Sequence, residues 1–135
     1  MNKTVDLLVA AQKDMMLIVR MTTLGVLARA GLTLDDMDDM KMAVDEAFGY
    51  LIEQPVGYEQ IALHYEYSGD AAIVCLNGQG GCAVTTNEES SCEDEILRCV
   101  LESMADEVLI GKAGAATAQI ELKKHCVKAG MVYGG

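Results

Sequence analysis

At 135 residues the chain suits one domain, residues 1–135, long enough to bury a real core. Half of it is apolar, which excludes a disordered chain. A formal net charge of −11, from 21 acidic and 10 basic side chains, repels phosphate backbones, so no nucleic-acid partner is expected.

No run of about 18 apolar residues occurs, so nothing is expected to span a membrane. The opening MNKTVDLLVAAQKD is not expected to be a signal peptide, because Asp6 interrupts a short apolar run. Five cysteines (75, 82, 92, 99, 126) form no C-x-x-C pair, and only two His are present, so no metal ligands are assigned. Reduced thiols fit a cytoplasmic protein. For Cys82 and Cys92, in an expected loop, two readings stand: reactive thiols, or the plainer one of ordinary ones. Acid gathers at DDMDD (35–39) and EESSCEDE (88–95), either for solubility alone or to steer in a partner with a basic patch.

In chain order, TVDLLVAA (4–11) reads as a strand. Asp14 is placed to cap a helix running to about Ala30, with Met15, Ile18, Val19, Thr22 and Val26 at helical spacing. Gly31 is the expected stop, since glycine takes a left-handed conformation without steric cost. Thr33 with Asp36 resembles a capping box, and Met37, Met40, Val44, Ala47, Phe48 and Leu51 form the buried stripe of a second helix. Pro55 ends it at QPVG. Segments 58–67 and 71–78 read as two strands joined through SGD, followed by an irregular stretch over 79–91. Ser91 with Asp94 is placed to cap a third helix from about Cys92 to Met104. DEVLIGK and ATAQIELKK then form a second hairpin around AGA, and the tail from Cys126 is expected to fray. Strand, two helices, two strands, helix, two strands predicts an α+β two-layer sandwich. Its helices lie on one face of a mostly antiparallel sheet.

Over nearly the whole chain these segments resemble the bacterial anti-sigma-factor serine kinases, of the GHKL (histidine-kinase-like) ATPase superfamily. The resemblance rests on VRMTTLGVLARAGLTLDDMDDMKMAVDEAFGYLIEQ, on LNGQGG where that family places a D-x-G-x-G loop, and on ILRCVLESMADEVLI after its ATP lid. In active members the second helix carries a Glu, which acts as base, and four residues later an Asn, which ligates Mg²⁺; that spacing puts both on one face. The matching positions here are Glu46 and Tyr50. The loop Asp that accepts from the adenine amine is matched by Leu76, with Asn77, Gly78 and Gly80 following. The lid's second glycine motif has no counterpart in SSCEDEILRCVLES, where Glu93, Asp94 and Glu95 stand instead. Adenine, metal and phosphate contacts thus depart from the pattern together.

The resemblance therefore implies a regulatory protein that acts by protein–protein binding, with a degenerate ATP site formed by Glu46, Tyr50, Leu76, Asn77, Gly78 and Gly80 and no cofactor. The expected partner is a sigma factor or an anti-sigma antagonist protein, with Arg20 of the first helix at the interface, or else merely solvated, and with a homodimer possible within the family. The alternative is an active serine kinase using ATP and Mg²⁺, with Glu46 as its catalytic base. A third reading gives the pocket to some other small ligand. Glu46 otherwise reads as an ordinary carboxylate beside a buried stripe, and Tyr50 as a filler of the pocket or a partner contact.

Overall fold

The computed structural model describes residues 2–82 and 91–126. Within them the elements run β1 (Lys3–Ala10), α1 (Met16–Ala30), α2 (Leu34–Ile52), β2 (Gln60–Tyr67), β3 (Ala71–Gln79), α3 (Ser91–Glu102), β4 (Glu107–Ala113) and β5 (Ala116–His125). The strands form one sheet in the order β1-β2-β3-β5-β4, every neighbouring pair antiparallel. This is the expected α+β sandwich.

Period-2 alternation decides which face the helices cover. Along β2, Ile61, Leu63 and Tyr65 are buried while Ala62, His64 and Glu66 are not. The buried set continues across β3 as Ala72, Val74 and Leu76 and across β5 as Ile120 and Leu122. Against it lies the α2 stripe of Met40, Ala43, Val44, Ala47, Phe48 and Leu51, each without measurable exposure. Every fourth or third residue of α2 points down, so its length is fixed to the sheet by packing and not by helix propensity alone.

The local signals hold at most of the helix ends. Gly31 closes α1 at φ 83°, a left-handed geometry that costs glycine nothing. The Thr33 hydroxyl accepts from the Asp36 N–H at 3.1 Å and opens α2. Two expectations for the first helix are corrected. Asp14 does not cap it; it sits in a short 3₁₀ turn (Lys13–Met15) with no side-chain cap. The buried face of α1 is Val19, Thr23, Val26, Leu27 and Ala30, which leaves Ile18 exposed and Thr22 only partly covered. The reason is a polar anchor inside the core. The Thr23 hydroxyl bonds the Tyr65 hydroxyl at 2.8 Å and the Val19 carbonyl at 2.7 Å, and this sets the rotation of α1 on the sheet. Burial holds the Tyr65 phenol up at about 12.

The acid run 35–39 is partly neutralised in the fold. Lys124 reaches Asp36, Asp39 and Asp106 at 3.7–3.9 Å and donates to the Met104 carbonyl at 3.0 Å, tying the start of α2 to β5 and to the α3–β4 turn. Residues 83–90 of the stretch expected to be irregular, and the tail expected to fray except Cys126, lie outside the described residues; the Cys126 thiol donates to the Ala30 carbonyl.

Phe48 is the largest α2 side chain in the core. Phe48→Ala should therefore lower unfolding stability by about 3–5 kcal/mol. Thr33→Ala, losing only the cap, should cost about 1 kcal/mol. Urea midpoints at equal m-value check both.

Candidate functional site

The second helix brings Glu46 and Tyr50 onto neighbouring turns, and the two differ sharply. Glu46 is exposed and makes no ion pair among the described residues. Its neighbour Asp45 is engaged instead: the Arg20 guanidinium on α1 donates to Asp45 Oδ2 through Nε at 3.1 Å and Nη2 at 3.0 Å. The two acids of the DE pair thus have separate surroundings. One ties two helices together, and the other faces solvent.

Tyr50 is half-buried at the edge of the core, and its hydroxyl donates to Asp94 Oδ1 in the first turn of α3. The Lys112 ammonium of β4 donates to Asp94 Oδ2, and the Thr117 hydroxyl of β5 donates to Oδ1 at 3.1 Å. Gln54, one turn after Tyr50, continues the network. Its Oε1 accepts from the Thr117 N–H at 2.9 Å and its Nε2 donates to the Tyr50 carbonyl at 3.2 Å. Tyr58 closes it, donating to the Thr117 carbonyl at 2.7 Å. Two helices and two strands therefore converge on one carboxylate.

Protonation follows from this geometry. Burial and then the Asp94 carboxylate push the Tyr50 phenol up to about 12, so it is a neutral donor at physiological pH. Burial works to raise Asp94, but the donors Lys112, Tyr50 and Thr117 and the Lys112 charge outweigh it and hold the carboxyl below its ordinary value of 3.8. The network is a neutral phenol, a carboxylate and an ammonium.

The remaining candidate residues do not share one pocket. Leu76 lies in the core, opposite Leu63 and Ile120 in the sheet register. Asn77 alternates to the open face, where its amide donates to Cys75 Sγ at 3.5 Å. Gly78 lies under the Tyr58 ring, and a Cβ there would stand 2.5 Å from ring carbons. Gly80 rests against Glu59. At Gly81 a Cβ would meet Val56 at 2.5 Å, and φ is 87°. The glycines of LNGQGG thus make room for the chain between α2 and β2. Sequence reasoning missed Gln54, Tyr58, Lys112 and Thr117. The cap expected from Ser91 with Asp94 rests on a side chain outside the described residues, and the Asp94 carboxylate is bonded to Tyr50, Thr117 and Lys112. A cleft of about 430 Å³ opens on the far side of Asp94, lined by Glu95, Arg98, Ile110, Lys112, Gly114 and Ala115. It includes none of the predicted set.

Removing the shared carboxylate strips partners from a phenol and an ammonium together. Asp94→Ala should cost on the order of 2 kcal/mol. The Asp94 contribution has a defined pH window, because its folded pKa is the lower one. The stability gap between wild type and Asp94→Ala should be full above pH 3.8 and shrink as pH falls through the depressed folded value. Paired denaturation curves at neutral and acid pH check the sign.

No protein-family model matches the chain. Two curated relatives are aligned over 143 positions at 28% identity, covering 92% of this chain and 87% of theirs: serine-protein kinase RsbW of Staphylococcus aureus strains bovine RF122 / ET3-1 and MRSA252. In fold the chain is similar to a crystal structure of the RsbU and RsbW domains of a Mycobacterium tuberculosis protein. That match has a TM-score of 0.60 and 18% identity; it covers 90% of this chain, which spans about a third (32%) of the longer one. Along nearly its whole length the chain is thus similar in sequence to serine-protein kinase RsbW, and in fold to a structure that contains an RsbW domain.

Proposed function

We propose that this chain is a regulatory protein that acts by binding another protein, and that its own side chains fill the place where the family it resembles holds ATP and Mg²⁺. The carrying observation is the bond between Tyr50 and Asp94. Mg²⁺ with a nucleotide draws on one or two hard oxygen ligands from the protein. At the position matching the family's ligand stands a phenol, protonated up to about 12 and already committed to a carboxylate. Asp94 brings negative charge to the start of α3, where a phosphate would otherwise use free N–H groups and the helix dipole. One nearby cation, Lys112, is neutralised by that same carboxylate. Leu76, buried among apolar side chains, offers the adenine amine no acceptor, a lack worth about 1–3 kcal/mol. These residues do not fit a magnesium nucleotide.

On this reading the partner is a sigma factor or an anti-sigma antagonist protein, and α1 contributes to the contact. Arg20 lies on that helix with exposed Leu17 and Met21, and its guanidinium is held in place by Asp45. Self-association of two copies belongs to the same proposal. The competing reading, an active kinase with Glu46 as base, draws on the name of the curated relatives and on the exposure of Glu46 beside Tyr50. Phosphoryl transfer is chiefly positioning and charge neutralisation, which the Asp94 network opposes.

Calorimetric titration of the intact chain with Mg-ATP decides between them. No binding heat into the millimolar range is expected, and Tyr50→Asn alone should not restore it, because Asp94 and Leu76 remain. A micromolar affinity for the wild-type chain would overturn the proposal.

A further inference from the structure

Helix α3 carries two apolar stripes, and the fold covers one of them. Leu97 and Leu101 turn to the core and are buried. Cys92, Ile96, Cys99 and Val100 stand at i, i+4, i+7 and i+8, which is one helix face over about two turns. That face is open: Ile96 is 61% and Val100 39% exposed, and both thiols are exposed. Its borders are acidic, with Glu93 along one side and Glu95 and Glu102 along the other. These three carboxylates are exposed, and none makes an ion pair among the described residues. The helix's cation, Arg98, is directed elsewhere and donates to the Val108 carbonyl of β4 at 3.2 Å. The adjoining helix adds to the acid. Asp94 at the start of α3 meets Tyr50 near the end of α2, and Lys124 joins Met104, just past α3, to Asp36 at the start of α2. The two helices therefore run antiparallel, and exposed Glu46 sits one turn before Tyr50.

We infer that this stripe docks a basic amphipathic helix of another protein. Apolar side chains of the incoming helix cover Ile96 and Val100, and Lys or Arg on its flanks meets Glu93, Glu95 and Glu102. The charge of the borders selects this occupant. A second copy of the chain presents the same acid and is repelled, as are nucleic acid and anionic lipid. The borders also steer a cationic partner in, and the apolar stripe then holds it. This face is separate from Arg20 on α1. It adds a docking surface to the protein-binding reading and does not depend on the state of the nucleotide site.

The test uses synthetic helical peptides built on the heptad LKKLLKL, with LEELLEL as the acidic counterpart. Each is labelled and titrated with the intact, reduced chain by fluorescence anisotropy. The basic peptide should bind in the micromolar range and the acidic one at least tenfold more weakly. Replacing Glu93, Glu95 and Glu102 together by Gln should flatten the salt dependence of the basic peptide. The double variant Ile96→Ala, Val100→Ala should weaken it about tenfold, whereas Leu109→Ala, at another exposed apolar residue on β4, should leave it unchanged. Absence of binding into the millimolar range would overturn the inference, and so would equal affinity for the two peptides. Binding that is indifferent to the Ile96 and Val100 changes would reduce the effect to net charge and overturn it too. A wild-type chain that sediments as a dimer, dissociated by the same double variant, would give the stripe to a second copy instead. The comparison of the two peptides on wild type needs no variant, and neither result bears on Mg-ATP affinity.

Discussion

A single carboxylate, that of Asp94, joins α2, α3, β4 and β5 through Tyr50, Lys112 and Thr117. Each partner alone would be a modest surface contact. Together they put a negative group where two strands and two helices meet, compensated by one ammonium and two hydroxyl donors. A half-satisfied cluster in that position would be destabilising, because an unpaired polar group away from water loses its hydration without recompense. Here the phenol, both carboxylate oxygens and the ammonium are all engaged, and Gln54 extends the order to the backbone of β5. The first turn of α3 is thus tied to α2, β4 and β5 by side chains.

The same electrostatic economy runs through the rest of the fold. With 21 acids against 10 bases, cations are drawn into pairs with carboxylates. Lys124 stands among Asp36, Asp39 and Asp106, Arg20 spans α1 to α2 through Asp45, and Lys112 is taken by Asp94. The surplus acid faces solvent, where it would draw in a basic surface.

Opposite this helical layer, the open face of the sheet has a different chemistry. Its side chains are set by strand register alone, so a row such as Asp6, His64 and Cys75 arises from three separate segments. The two chemistries are kept apart by the sheet itself. Asn77, named with the candidate nucleotide site, belongs to the open face because its neighbour Leu76 must point into the core.

The sequence alone determined the features that repeat or end locally. The α2 stripe, the Thr33 cap, the Gly31 stop and both hairpins were legible because each depends on residues within a few positions of one another. The rotation of α1 was not, since it is set by Thr23 reaching Tyr65 across 42 positions. Nor was the occupant of the site. Tyr50, Asp94, Lys112 and Thr117 come together only when the sheet order places β5 between β3 and β4 and lays α3 beside α2. Spacing along the chain carries no information about such contacts, so only the tertiary structure decided what the phenol binds.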